Sequence, residues 1–166
     1  AILPTDTTAV LHDRLAALGG EAIVQALADI DQLKRQPQPS EGVNYAHKID
    51  KAEAALDWAL SAEVLACRIR AFDPFPGMTV PLTTANGSET LKIWQALAEP
   101  LANPAEPGTV VQADASGVRV ACGQGVLCVT ELQRAGGKRL NAADFLRGFL
   151  LTAGQCFEPH TAHKTS

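Results

Sequence analysis

The sequence predicts an α+β protein in which helices lead into a small β-barrel. Three observations carry this reading. Apolar residues recur at helical spacing up to Ala71, the pattern switches to strand-like alternation after Gly77, and glycine turn signals punctuate everything from Asn86 to Gly137. A helix is predicted over 6–18, where Leu11, Leu15 and Leu18 share a face, Thr5 or Asp6 caps the start and Gly19-Gly20 ends it. A second is predicted over 21–33, with Ile23, Leu27 and Ile30 as its stripe. Two narrow stripes with no strand between them cannot close a core, so both helices are expected to border something larger and to expose apolar surface.

The stretch 36–42 is polar, carries Pro37 and Pro39 and reads as a linker. Asp50-Lys51-Ala52-Glu53 is a capping-box pattern, in which each carboxylate reaches the other residue's backbone N–H. A helix follows over 61–71, with Leu65, Ile69 and Phe72 on one face, Trp58 packing before it, and Asp73-Pro74 and Pro76-Gly77 as stops. Strands are predicted at 78–84, 90–96, 108–113, 117–122 and 126–133. Turns fall at Asn86-Gly87, Ser116-Gly117, Gly123-Gln124-Gly125 and Gly136-Gly137. So many short strands imply a closed or nearly closed barrel, because an open sheet of this size leaves exposed edges. Asn141 caps a last helix whose Phe145, Leu146, Phe149 and Leu150 flank or plug the barrel, and a frayed tail is expected beyond it.

Bulk composition excludes several classes. A hydrophobic fraction of 46% with 19% charged residues suits a globular chain rather than a disordered one. No apolar run approaches the roughly 20 residues of a membrane span, and no leader pattern is present. The chain starts at Ala1 rather than Met, which leaves a fragment and a processed product both open. Net charge is −4 and the pI about 5.5, so any phosphate-binding face must come from local clustering of Lys and Arg. Cys67, Cys122, Cys128 and Cys156 have no Cys-x-x-Cys spacing and read as reduced thiols. His160 and His163 lie in a polar tail and are not read as a metal site. Asn86-Gly87-Ser88 is read as a turn rather than a glycosylation site.

Several long segments resemble the methionyl-tRNA formyltransferase family, in the family's order. They are the run from Val43 to Trp58, Ile69-Arg70-Ala71-Phe72-Asp73-Pro74-Phe75-Pro76-Gly77, Leu91-Lys92-Ile93-Trp94, Pro107-Gly108-Thr109-Val110, and the run from Leu132 to Arg139. The opening Asp6-Thr7-Thr8 and the run from Leu11 to Leu15 are similar to a late helix of that family's catalytic domain. The resemblance implies an N-terminal helical remnant of a Rossmann-like formyltransferase domain, followed by a small OB-like β-barrel with flanking helices. The implied divisions are 1–35 for the incomplete catalytic domain, 36–46 for the linker, 47–157 for the barrel and 158–166 for a disordered tail.

The parent activity implied is transfer of a formyl group from 10-formyltetrahydrofolate to methionyl initiator tRNA in translation initiation. Initiator tRNA and a missing N-terminal catalytic domain would be the partners, in a cytoplasmic, monomeric protein with no membrane contact. The family's Asn-x-His pair, its Asp and its Ser-Leu-Leu-Pro loop do not occur here. Nor does a glycine-rich phosphate loop, a His-Glu-x-x-His motif or a nucleophile elbow. No catalytic residue, metal ligand or cofactor site is therefore assigned, and the chain alone is expected to be inert.

The candidate nucleic-acid-binding residues are Lys48, Lys51, Arg70, Arg134, Lys138 and Arg139. Arg134, Lys138 and Arg139 occupy a glycine-containing loop with no acid from 132 to 143, which suits a sugar-phosphate backbone. Its competing reading is a solvated turn. Lys48 and Lys51 flank the junction of linker and barrel, where ordinary helix-start solvation competes. Arg68 and Arg70 point to different sides of their helix, so at most one is expected to face a given RNA surface and the other to pair with Glu63 or Asp73. Lys92 and Arg119 are expected to be exposed on the barrel, and Trp94 shares the side of Lys92 with room to be exposed. Tyr45 and Phe75 are further aromatics, while Trp58 and Phe72 read as core. Two readings compete with the tRNA-holding one: the C-terminal module of another formyltetrahydrofolate-using enzyme, and a non-catalytic interaction module.

Overall fold

The computed structural model describes residues 1–84, 87–100 and 103–158. Asn86 and the His160 and His163 pair lie outside the described residues. The front of the chain is a single helix, α1 (Thr8–Ala28), and not the two that Gly19-Gly20 suggested. A Cβ on either glycine would meet nothing within 4 Å, and neither takes a left-handed conformation. Glycine lowers helix propensity by roughly 1 kcal/mol, but a glycine ends a helix by taking the left-handed conformation that closes a bonded cap, and neither glycine does so here. Asp29 supplies the cap instead, its N–H donating to Gln25 O. At the other end Thr7, rather than Thr5 or Asp6, caps by accepting from Val10 N at 3.3 Å. Asp6 is engaged elsewhere: it accepts from Leu3 N and pairs with both Nη atoms of Arg14 at 2.6 and 2.8 Å. Those Arg14 bonds and the Leu3 N–H hold its carboxyl below the usual carboxylate range.

No residue of α1 is buried, and Leu15, Leu18, Ile23, Val24 and Leu27 are all more than half exposed. The helix is tied to the remaining structure through its first turn. There Thr8 Oγ1 donates to Ala71 O and Ala9 N to Asp73 O. Residues 33–50 form no helix or strand and are exposed throughout. The capping box then forms as the sequence indicates. Asp50 accepts from Ala52 N, Glu53 accepts from Asp50 N, and a 3-10 turn spans Lys51–Ala54. Helix α2 (Ala62–Ala71) is capped by Ser61 and buries Leu65 and Ile69.

Six antiparallel strands follow: β1 (Met78–Thr84), β2 (Gly87–Glu99), β3 (Val110–Asp114), β4 (Gly117–Ala121), β5 (Val126–Arg134) and β6 (Leu140–Asn141). Their order is β1-β2-β5-β4-β3, with β6 on β5. Helix α3 (Ala142–Gly148), capped by Asn141, buries Phe145; Leu150 lies beyond the helix and is exposed rather than packed. The edges β1 and β3 are linked by the C-terminal segment. Val110 exchanges backbone bonds with Gln155 and Gly154, Phe157 N donates to Gly108 O, and Glu158 N donates to Pro81 O. Pro81 suits this edge because it has no N–H to give a sheet partner. The core gathers Leu56, Trp58, Leu65, Ile69 and Phe72 against the inward side chains of the strands and Phe145.

Two predictions follow from this packing. A Cβ on Gly123 would lie 1.9 Å from Ala59 O, while Gly123 N donates to the carbonyls of Trp58 and Leu60. Gly123→Ala is expected to lower stability by about 2–3 kcal/mol, as overpacking does, read from urea unfolding. Cys67 and Cys156 are exposed, whereas Cys122 and Cys128 are buried, and burial pushes the Cys122 thiol up to about 11. At pH 8 a thiol reagent should label Cys67 and Cys156 fast and Cys122 and Cys128 only on unfolding, because the thiolate is the nucleophile.

Candidate nucleic-acid interface

The cationic loop is built by the β5–β6 hairpin. Gly137 N donates to Arg134 O at 2.9 Å, closing the turn, and Gly136 takes the left-handed conformation it needs, with φ of 71°. Behind the turn Gln133 makes two directed bonds. Its Oε1 accepts from Trp94 Nε1 and its Nε2 donates to Gly137 O, both at 2.7 Å. Trp94 belongs to β2, where a bulge sets Ile93 and Trp94 together against the single step from Leu132 to Glu131.

Trp94 does share the side of Lys92, but it is 7% exposed rather than open. Two things cover it. The corner after α2 lies against its edge so closely that a Cβ on Gly77 would fall 2.5 Å from Cη2. The Arg139 guanidinium lies over the ring, 3.4 Å from the centroid. Arg139 Nη2 also donates to Asp73 Oδ1 at 2.8 Å. Lys92 Nζ sits 5.3 Å from the same ring and donates to Pro76 O, so it is half-buried rather than freely exposed.

The six candidates divide accordingly. Arg134, Lys138 and Arg139 share the loop, and the structure adds Lys92 beside them. Arg134 is engaged by Glu89 through two bonds, at 3.0 and 2.8 Å, and lies 5.0 Å from the Phe149 ring. Lys138 is exposed and makes no hydrogen bond or ion pair among the described residues. Lys48 and Lys51 are exposed near Tyr45, which is 81% exposed and edge-on to His47. They share no hydrogen bond or ion pair with the loop. Arg70 turns back onto its own helix, donating to Ala66 O and Cys67 Sγ. Neither Arg68 nor Arg70 pairs with Glu63 or Asp73, because Arg68 donates to Glu53 O and Asp73 is held by Arg139. Arg119, expected to be open on the barrel, is bound through Nε and Nη2 to Glu99.

Nothing local in the sequence marks Gln133, or Asp73 as the partner of Arg139, and Trp94 meets Arg139 rather than an open face. Only the pairing register reveals Gln133, by setting it opposite Lys92 on the outer face. Elsewhere, surface clefts of about 540 and 470 Å³ adjoin Glu99, whose carboxylate is taken by Arg119. Among the described residues no group of His, Cys, Asp and Glu could hold a metal ion. What the geometry provides is a braced turn with a free ammonium and a flat, partly open guanidinium, which suits phosphate contact rather than bond making.

The comparisons with known proteins agree on the family. Residues 48–150 match the model of the formyl transferase C-terminal domain. The methionyl-tRNA formyltransferase of Delftia acidovorans is 59% identical over 157 residues, covering 92% of this chain and 47% of that protein. The enzyme of the same name from Burkholderia thailandensis is 53% identical over 162 residues, covering 96% and 48%. The chain therefore spans about half the length of the curated relatives it matches. Among solved structures, HypX from Aquifex aeolicus in complex with tetrahydrofolic acid superposes with a TM-score of 0.56 at 18% identity. That match covers 76% of this chain and 22% of that one, a likeness of fold alone. A motif order, a family match over most of the chain and an α+β structure thus converge: the chain belongs to the formyl transferase C-terminal domain family.

Proposed function

We propose that this chain is the tRNA-holding C-terminal part of a methionyl-tRNA formyltransferase. The observation that carries the reading is the high identity to enzymes of that name along nearly the whole chain. In this reading 1–35 closes the catalytic domain, 36–46 is the linker, 47–157 is an OB-like barrel and 158–166 is a tail. The exposed leucines of α1 are then the face that the missing portion covers, and they need a cover: each large apolar side chain gains about 1.5–3 kcal/mol on burial. Formyl transfer from 10-formyltetrahydrofolate to the methionyl amino group belongs to that missing portion. The residues present here offer no set that would orient an amine, stabilise an oxyanion and relay a proton.

The role left to this chain is to hold initiator methionyl-tRNA by its backbone, through Lys138, Arg139 and Arg134, with Lys48, Lys51 and Arg70 as outlying cations. The parent is read as a monomeric, cytoplasmic enzyme of translation initiation. A second reading is a C-terminal module of another formyltetrahydrofolate-using enzyme; HypX, solved in complex with tetrahydrofolic acid, shares the fold. That module would need no affinity for tRNA.

Titration of initiator tRNA against the chain by fluorescence anisotropy, at low and at physiological salt, separates the two. The first reading expects binding that weakens steeply with salt, and a Lys138→Ala salt slope shallower by about 1. Absence of binding at low salt favours the second. The chain is further expected to show no formyl transfer when supplied with 10-formyltetrahydrofolate and methionyl-tRNA. Turnover at an enzyme-like rate would sink the assignment of chemistry to the missing portion.

A further inference from the structure

We propose that Gln133 and Trp94 are positioning residues that set the 134–139 turn for phosphate contact, with Arg139 as the aimed ligand and Lys138 as its companion charge. The inference rests on the tRNA-holding reading and deepens it. Two arginines flank this turn, and their environments differ in kind. Arg134 gives Nε and Nη2 to the two oxygens of Glu89, so the forked edge that would grip a phosphate is already occupied. Arg139 gives Asp73 one bond, from Nη2, which leaves its other N–H groups free to donate among the described residues. Its plane is set by the indole beneath it, at 3.4 Å, and its side chain remains 36% exposed. A guanidinium held flat, half-open and with unspent donors is organised to receive a backbone phosphate.

The indole in turn is fixed from two directions. Gly77 presses against its edge, and its N–H is tied to Gln133 Oε1. The second half of the same amide is bonded to Gly137 O, one residue before Lys138. One side chain therefore links the ring that carries Arg139 to the backbone that carries Lys138. Gln133 is itself uncharged and sits in the β-ladder opposite Lys92, where it has no need to contact RNA. Its contribution would be geometric: both cations are presented on one surface instead of sampling independent directions.

This role makes a demand that plain charge does not. Exchanging Lys138 for Arg should keep affinity, because a point charge on an open stem is replaceable there. Exchanging Arg139 for Lys should not, because an ammonium can neither lie flat on the indole nor fork onto a phosphate.

The test uses the full chain, with initiator tRNA as the probe. Gln133→Leu is expected to lower the melting temperature, because it leaves the Trp94 N–H without its acceptor, yet to stay folded at the temperature of the titration and to weaken binding at physiological salt by about five- to tenfold. It should also make the salt slope shallower by about 1, although no charge has been removed. Trp94→Phe should act in the same direction. Arg139→Lys should lose about as much as Arg139→Ala, while Lys138→Arg binds as the parent does. A second readout does not involve RNA: trypsin should cut after Lys138 and Arg139 faster in Gln133→Leu than in the parent, since the turn has lost its brace. The proposal is overturned if Gln133→Leu binds and is cut like the parent while Lys138→Ala binds more weakly. It is equally overturned if Arg139→Lys retains full affinity. Should the parent chain fail to bind tRNA at all, the functional reading falls and trypsin alone judges the brace. Equal cleavage rates then refute it and faster cleavage of the variant sustains it.

Discussion

The indole of Trp94 occupies the space that any side chain at residue 77 would require, and much of one end of the molecule depends on that contact. A Cβ at 77 would lie within 2.8 Å of two ring carbons, and the φ of 76° there is itself a glycine conformation. Because the ring can approach so closely, the corner after α2 is pinned to the outer face of β2. The corner then gives its carbonyls away. Ala71 O and Asp73 O receive the first turn of α1, Pro76 O receives Lys92, and the Asp73 carboxylate receives Arg139. No single tie here is strong. A partly exposed cation over a ring contributes about 0.5–2 kcal/mol, and a half-open ion pair about 0–1 kcal/mol. The arrangement holds because several weak ties share one rigid ring.

The opposite problem, that of closure, is solved by the ends of the folded region rather than by strand pairing. A sheet ordered β1-β2-β5-β4-β3 leaves the outer sides of β1 and β3 without a strand partner, and such edges invite pairing with other chains. Residues 55–56 cover Thr79 of β1 from one side. The segment from Gly154 to Glu158 bridges from Val110 of β3 to Pro81 of β1. Phe157 in that bridge stacks on Trp58 at 5.4 Å, which brings the apolar lid and the core together. The cost is visible at Trp58 Nε1, a buried donor with no partner among the described residues. An unmade bond of this kind costs about 1–3 kcal/mol, which the burial of a ring of roughly 150–250 Å² at about 25 cal/mol per Å² outweighs.

Legibility in the sequence followed the range of the interactions. Capping at Asp50, Ser61 and Asn141 was readable because the partners lie within a few residues. The start of β1, the course of β4 and the burial of Leu65, Ile69, Phe72 and Trp58 followed from local periodicity. Gly19-Gly20 misled because propensity was read as a stop, while a helix exposed on every side has no neighbour to enforce one. Trp94 misled for a different reason. Alternation along the strand gives its side, but its cover comes from residues 77 and 139, far away in the chain. The same distance hid Asp73–Arg139, Glu99–Arg119 and Glu89–Arg134, whose partners are between 20 and 66 residues apart.

Those three ion pairs also resolve the tension between an acidic chain and a phosphate-binding role. A net charge of −4 matters less than which cations remain unspent. Arg119 and Arg134 each face a carboxylate through two bonds, so a phosphate there would have to displace an anion already in place and would gain little. Lys138 has no such competitor among the described residues, and Arg139 has yielded only part of its fork. On the tRNA-holding reading, affinity is therefore concentrated in one turn instead of being spread over a basic face. Its salt dependence reports few contacts, which is why their geometry carries more weight than their number.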